Sequence, residues 1–430
     1  MFNVMRPKPI VCTATQQGIM GMVDKGEVAP LARWLARVPL FFLAGTAALA
    51  WTASIVYADL GSRFSLDLRV YRAAAKSVLA GHNPYESFFT TYHLPFTYPP
   101  AALLAFSPFS LGSVHLIEAV WWFINALAVL GTFYVGLRRV LELPSPRSFW
   151  IALALTPILS LVFEPLRTNT TYGQINAVLL LLIVIDLTSS PDRIRGGLVG
   201  LAGAIKLTPL VYLLYFAIKG AWRSLFQGLL TFIGIGLVAF AILPSDSRTY
   251  WLHQVFDPSR TGTVGGRRNQ SWYGLVHRWP FPAHWAVLSW SVLSMVTLGA
   301  AILLVHRLVL RDRIIDAVVA LGMCAELISP ISWSHHWVWI VLLPVLLVRG
   351  FRGQPLVTAS MILLCVVGAI GPYAWDFHGG PGRGLDDTLV LAGALALLTW
   401  TISEVRILPI RPGVGSEGRT QVASQHSQTS

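Results

Sequence analysis

Along its length the chain alternates long apolar runs with polar interruptions. The runs cover residues 39–57, 116–137, 149–163, 174–188, 196–218, 225–244, 284–305, 314–331, 335–349, 356–374 and 387–403. A bilayer-spanning helix needs ~20 apolar residues, so these runs predict helices that cross a membrane or enter it. The run PPAALLAFSPFSLG (99–112) is short and Pro-rich, and either it or its neighbour 149–163 is expected to be re-entrant. The run 196–218 is expected to break near Lys206 and Pro209. Nothing shows the ten-residue alternation of a barrel. The expected class is an all-α polytopic membrane protein with about 11–12 transmembrane or re-entrant helices.

Composition supports that class. Of 430 residues, 54% are hydrophobic and 12% charged, against about 25% charged in soluble domains. That excludes an ordinary soluble enzyme. The net charge of +12 would suggest nucleic acid in a soluble protein; here it marks cytoplasmic loops, where Lys and Arg accumulate, and no nucleic acid partner is expected.

Three segments follow. Residues 1–38 form a basic cytoplasmic N-terminus (Arg6, Lys8, Lys25, Arg33, Arg37), residues 39–403 the membrane domain, and 404–430 a polar, disordered cytoplasmic tail. Run 39–57 reads as a retained signal anchor. Cys12, Cys324 and Cys365 have no metal-ligand spacing and are expected to be inert.

The basic loops set the orientation. With Arg138/Arg139/Arg147, Arg193/Arg195, Lys219/Arg223, Arg307/Arg311/Arg313 and Arg349/Arg352 inside, the opposite face receives 58–98, 164–176, 245–283, 329–337 and 375–386. Nearly every motif-like polar stretch therefore lies on one side.

Those stretches hold the candidate chemistry. In SLDLRVYRAAAKSVLAGHNPYE, the residues Leu66, Val70, Ala73, Ala74 and Val78 recur at helical spacing and predict a helix along the membrane surface. Asp67 lies in its first turn, as a helix cap or as a carboxylate suited to accept a proton; Tyr71 shares the helix. LPFTYPP (94–100) brings Tyr98 to the point where the chain re-enters the membrane. EPLRTNTTYGQIN (164–176) concentrates Glu164, Arg167, Asn169, Tyr172, Gln174 and Asn176, able to bind sugar hydroxyls or to form a Glu164–Arg167 pair. Lys206 in GAIKLTP is intramembrane, and a phosphate partner would offset its cost.

GGRRNQSW offers Arg267, Arg268, Asn269, Gln270 and Trp272 for anion capture and stacking. SPISWSHHW carries His335 and His336. On a helix adjacent positions point about 100° apart, so the two are not expected to ligate one metal together; one could face the site while the other packs or caps. Glu326 is a further intramembrane carboxylate, expected to be buried and paired. No phosphate-cradling loop, HExxH, GxSxG or Cys/His metal spacing occurs, so neither a metal nor a cofactor is expected.

Taken in order, DLRVYRAAAKSVLAGHNPYE, LPFTYPPAALLAFSPF, YGQINAVLLLL, GAIKLTPL, NQSW and SPISWSHHWVW resemble the actinobacterial polyprenol-phosphate-mannose-dependent α-(1→2)-mannosyltransferases. These are C-superfamily (GT-C) glycosyltransferases of family 87. The resemblance runs from about residue 66 to 340. It implies a multi-span GT-C bundle whose first periplasmic loop (58–98) carries membrane-surface helices. It also implies a polyprenyl phosphomannose donor, a phosphatidylinositol mannoside, lipomannan or lipoarabinomannan acceptor, and a site facing the periplasm in the cell membrane. The family's catalytic aspartate corresponds to Asp67, with Asp59 a rival preceding the matching pattern; its histidine motif corresponds to His335 and His336. A β-linked donor and an α product require inversion, with one carboxylate deprotonating the acceptor. The alternatives are another lipid-linked sugar, arabinofuranose or glucose, and a lipid or sugar transporter, which would show inverted repeats.

Overall fold

The computed structural model describes residues 65–279, 282–371 and 387–406. The predicted first span, the basic N-terminus, Asp59, Cys12, the 375–386 loop and the tail past Arg406 lie outside the described residues.

The chain opens with α1 (Leu66–Leu79), a two-stranded hairpin β1 (Phe88–Phe89) and β2 (Leu94–Pro95), and α2 (Pro100–Phe106). Then come α3 (Val114–Val140), α4 (Ser145–Val162), α5 (Glu164–Tyr172), α6 (Asn176–Thr188) and α7 (Gly197–Ile205). A 3-10 turn (Thr208–Tyr212) leads to α8 (Leu213–Lys219), α9 (Trp222–Ile242) and α10 (Pro244–Leu252). After an irregular loop follow α11 (Trp272–Arg278), α12 (Ala283–Val309) and α13 (Ile314–Ile328). A 3-10 segment (Ser334–Leu342) continues into α14 (Leu343–Arg349), followed by α15 (Pro355–Ile370) and α16 (Thr388–Arg406).

Among the described residues, α3, α4, α9, α12 and α16 are long and apolar enough to cross a membrane. The pair α5 and α6 is a sixth candidate, bent by 116°. Shorter apolar helices cover Pro100–Ser110, Thr208–Lys219, Ser334–Arg349 and Pro355–Ile370. On α9 and α12, Phe226, Leu230, Leu237, Met295 and Val296 stay exposed, as helices facing lipid require. The chain is an all-α polytopic membrane protein.

Within the described residues, the expected runs became helices, with differences of physical origin. Segment 99–112 is the short one: α2 gives way to a 3-10 turn at Ser107, whereas α4 runs 18 residues. Run 196–218 breaks at Lys206, whose backbone is extended (φ −147°, ψ 132°), and resumes at Thr208, with Pro209 in the first turn. The segment after Trp333 starts as a 3-10 helix. The last helix continues to Arg406, and Glu404 is buried between Arg311 and Arg313 instead of opening the tail.

A sharper bend was not legible. Gly173 sits at φ 68°, a left-handed geometry that glycine adopts without strain. A Cβ there would stand 2.8 Å from Leu68 Cβ, so glycine also lets α1 lie against the bend. Ser65 N donates to Thr171 O (2.8 Å) and Trp121 Nε1 to Gly173 O (2.7 Å), fixing the junction.

The bundle has two distinct ends. Helix α3 rises about 40 Å over its 27 residues; Glu118, bonded to Arg69 of α1, lies near its start, and Arg138 and Arg139 lie in its last turn. Arg139 reaches the carbonyl of Thr188, the last residue of α6. At the same end as these arginines, Arg349 closes α14 and binds Asp316.

Candidate active site

The end away from the arginines holds a cavity of about 540 Å³. Its wall is assembled from α1, the 92–99 turn, the α5–α6 bend, the break at Lys206, the segment after α10 and the 329–336 stretch. Four of the polar stretches singled out by sequence thus converge on one space.

Asp67 is at the centre of the wall. Ser65, not Asp67, occupies the N-cap of α1, so the carboxylate is not spent on capping. Its Oδ2 accepts a hydrogen bond from Gln174 Nε2 at 2.7 Å, across 107 residues of sequence. Gln174 is oriented in turn: Tyr98 OH donates to its Oε1 at 2.8 Å, and Tyr71 OH lies 2.8 Å from Tyr98 OH and 3.0 Å from that Oε1. With its oxygen engaged by phenols, the amide can only present N–H to Asp67. The three residues expected to bind substrate therefore also hold the carboxylate in place. Helix α1 achieves this by burying Leu68, Val70, Tyr71, Ala74 and Ala75. That stripe is rotated from the expected one, which included Leu66 and Ala73.

Burial pushes the Asp67 carboxyl up to about 6, against the opposing pull of the Gln174 hydrogen bond and the positive charge of Lys206. A carboxylate titrating near the working pH is well matched to proton abstraction.

Lys206 supplies the positive charge. The helix break turns its side chain toward Asn176, whose Oδ1 accepts from Nζ at 2.7 Å, and Nζ lies 5.6 Å from the Tyr98 ring centroid. Asn176 Nδ2 donates to the carbonyl of His335 (3.0 Å), tying the lysine to the histidine segment. Both histidines line the cavity, their ring centroids 4.8 Å apart. The 3-10 turn that replaces the expected α-helix places the pair so; His336 does not pack away. His335 stands edge-on to Tyr172 at 5.8 Å, and its buried Nε2 has no hydrogen-bond partner among the described residues.

Glu326 is buried behind the wall as expected. It accepts from Ser332 Oγ (2.6 Å) and Trp339 Nε1 (2.8 Å) and lies 3.9 Å from His336 Nδ1. Glu164 accepts from Ser334 Oγ (2.8 Å) and does not form the ion pair with Arg167 that was the alternative to sugar binding. Arg167 reaches the Leu161 carbonyl (3.4 Å) and is not on the cavity wall.

The GGRRNQSW stretch divides. Arg268 lines the cavity; Arg267, Asn269, Gln270 and Trp272 do not. Asn269 donates to the carbonyls of Val264 and Pro330 (2.9 Å each) and accepts from Ser332 N (2.9 Å). Gln270 donates to Arg267 O (2.8 Å) and accepts from Leu389 N (3.1 Å). Trp272 Nε1 donates to Thr297 Oγ1 (2.9 Å). These residues brace the loop against the 330–332 segment, α12 and α16; their amides are engaged by protein, not left for an anion.

Sequence reasoning passed over Tyr250, Gln254, Asp257, Arg260 and Trp333, which complete the cavity. The concentration of aromatic and charged residues in 245–283 was the local signal for the first four, and Trp333 stands in SPISWSHHW beside the histidines. Among the described residues no group of three or more His, Cys, Asp or Glu side chains is gathered as metal ligands.

Residues 96–330 match Glycosyltransferase family 87. Three relatives are similar over most of their length. A polyprenol-phosphate-mannose-dependent alpha-(1-2)-phosphatidylinositol mannoside mannosyltransferase of Mycobacterium tuberculosis is 30% identical over 77% of this chain and 80% of its own. The protein of that name from Mycolicibacterium smegmatis is 33% identical over 67% and 70%. A polyprenol-phosphate-mannose-dependent alpha-(1-2)-phosphatidylinositol pentamannoside mannosyltransferase of Mycolicibacterium smegmatis is 30% identical over 82% and 86%.

Proposed function

The chain belongs to glycosyltransferase family 87, and from that premise we propose that it transfers mannose from polyprenol-phosphate-mannose to a phosphatidylinositol mannoside, forming an α-(1→2) bond at the outer face of the cell membrane. The observation that carries the site assignment is Asp67: a carboxylate on a cavity wall, fixed by Gln174 and within electrostatic reach of Lys206. The names of the relatives support the donor, the acceptor class and the linkage. The location of the cavity at the end of the bundle opposite Arg138, Arg139 and Arg349 supports the outer face, because basic residues accumulate on the cytoplasmic side.

Asp67 removes the proton from an acceptor hydroxyl. That oxygen attacks the anomeric carbon as the bond to the phosphate oxygen breaks, and the polyprenyl phosphate leaves with the electron pair. Inversion places the base and the departing phosphate on opposite faces of the sugar. Lys206 and Arg268, with a histidine of the 335–336 pair, oppose the negative charge that grows on the phosphate. The leaving group is already a stable anion, so no general acid is needed. The Tyr71–Tyr98–Gln174 cluster keeps the base at a fixed angle, so little reorganisation remains at the moment of reaction.

The test is reconstitution. The purified protein in vesicles, given polyprenol-phosphate-mannose and a phosphatidylinositol mannoside, should yield an acceptor heavier by one hexose, α-(1→2)-linked by NMR. Transfer from a polyprenyl phosphoarabinofuranose donor instead would overturn the sugar assignment. Cysteines placed at Ser87 and Ser259 should react with a membrane-impermeant maleimide in intact cells, and protection of both would reverse the orientation.

A further inference from the structure

Gln174 and Asn176 flank Ile175 on the α5–α6 bend, and each engages one charged group of the site. Gln174 Nε2 donates to Asp67 Oδ2 and Asn176 Oδ1 accepts from Lys206 Nζ, both at 2.7 Å. The sequence pattern suggested sugar hydroxyls as partners for both amides. Asn176 does not reach them: it is 1% exposed and is not on the cavity wall. Its two partners allow its amide one orientation, because an ammonium only donates and a carbonyl only accepts. The oxygen therefore faces Lys206 and the nitrogen faces His335 O, 3.0 Å away.

A lysine on its four-carbon stem has other places to go. Two carboxylates are in electrostatic reach, Asp67 on the wall and Glu326 behind it; His335 and His336 share the same neighbourhood, and the Tyr98 ring centroid is 5.6 Å from Nζ. A direct pair with Glu326 would draw the ammonium behind the wall, and one with Asp67 would occupy the base. Both acids take their hydrogen bonds from neutral donors instead, Asp67 from Gln174 and Glu326 from Ser332 and Trp339. The lysine rests on a neutral oxygen, which fixes its position and leaves its charge in place. A carboxylate at position 176 would hold it as closely and cancel that charge. The bend is itself rigid: Leu179, Leu180 and Ile183 of α6 are buried, and Trp121 holds the Gly173 carbonyl.

We propose that Asn176 is a positioning residue for transfer, holding Lys206 at a set distance from Asp67 without discharging it. The inference rests on the mannosyltransferase reading. Base and departing phosphate act on opposite faces of the anomeric carbon, so the spacing of carboxylate and ammonium is the length over which the displacement runs. One short segment sets that length, because Gln174 grips the acid and Asn176 grips the cation.

The test is a double-mutant cycle in vesicle-reconstituted protein, with polyprenol-phosphate-mannose as donor and a phosphatidylinositol mannoside as acceptor. Asn176→Ala frees the lysine and should lower kcat about 10–100-fold, no more than Lys206→Gln does. KM for the acceptor should hold. Asn176→Asp keeps a grip on the lysine but pairs its charge, and should lose at least as much as Asn176→Ala. Adding Asn176→Ala to Lys206→Gln should cost less than about twofold further, because both changes act through one group. The acid limb of the rate should move to higher pH in Asn176→Ala, as in Lys206→Gln, and the second substitution should not move it again. A residue that served only the fold would lower the melting temperature and the folded fraction and leave the limb in place. Asn176→Ser, too short to reach Nζ, takes the place of Asn176→Ala should that variant not fold.

Near-wild-type kcat in either single variant, an unshifted limb, or a full second loss in the Lys206→Gln background would each overturn the assignment. A raised acceptor KM would also overturn it, by returning Asn176 to substrate binding. Failure of the wild-type protein to transfer from this donor would instead overturn the enzyme reading beneath it.

Discussion

The basic end of the bundle and the wall of the cavity bury charge in opposite ways. At the basic end, the buried carboxylates Asp316 and Glu404 are ringed by guanidiniums: Arg349 grips Asp316 with two bonds of 2.7 and 2.8 Å, Arg313 bridges both acids, and Arg311 joins Glu404. This network ties α13, α14 and α16 together. In and just behind the cavity wall, the buried acids are held by neutral donors: Asp67 by an amide, Glu164 by a hydroxyl, Glu326 by a hydroxyl and an indole, while the ion pairs Arg69–Glu118 and Arg278–Asp387 lie off that wall. Lys206 is likewise held by the Asn176 amide. Full compensation serves the fold. Charges left without close counterions keep their field for a ligand, as functional sites do.

The contrast breaks most readily at Asp67. Asp67→Asn keeps the Gln174 bond through its amide oxygen but removes the base, so transfer should fall about 10²–10⁴-fold. The melting temperature should hold or rise, because the variant no longer buries a carboxylate that resists ionisation. Near-normal turnover, measured by radiolabelled mannose incorporation, would remove Asp67 from the mechanism.

Arg313→Ala should do the reverse. Removing one partner from a buried ionic network costs about 3–5 kcal/mol, so the yield of folded protein and its melting temperature should drop. Turnover per folded molecule should hold. Lost chemistry in a well-folded Arg313→Ala protein would erase the distinction between the ends.

Lys206→Gln sharpens the comparison next. Loss of an electrostatic donor to the developing phosphate charge is expected to lower kcat by about 10²–10³. The acid limb should also move upward, since the lysine's charge favours ionised Asp67.

The smallest effects concern titration. A base with its carboxyl at about 6 makes the rate fall roughly tenfold per pH unit below that value and level off above it. Gln174→Leu withdraws the hydrogen bond that stabilises the ionised form, so its limb should shift to higher pH. Tyr98→Phe, which only loosens the amide, should shift it less. Rates measured from pH 5 to 8 check all three; an unshifted limb in Gln174→Leu would mean that another group titrates.

How much was legible depended on distance along the chain. The break at Lys206 could be read because Pro209 stands three residues away. The turn of α1 could be read only approximately: its apolar positions predicted a helix, but the face with Leu68, Tyr71 and Ala75 was selected by contact with the Gly173 bend. Asn269 and Gln270 resembled ligand-binding amides until backbone groups of Val264, Pro330 and Ser332 were seen to occupy the first and those of Arg267 and Leu389 the second.

Sequence alone determined that this chain enters the membrane repeatedly as helices, which polar stretches gather at one end, and the family to which they belong. Hydropathy is a sum over neighbours, and ordered motifs survive as text. Tertiary structure decided which side chains meet. The Asp67–Gln174 bond spans 107 residues and the Lys206–Asn176 bond 30, and such contacts depend on bends and helix rotations set by packing. The same amide is a brace at position 269 and a clamp on the base at position 174, and only the surrounding backbone distinguishes them.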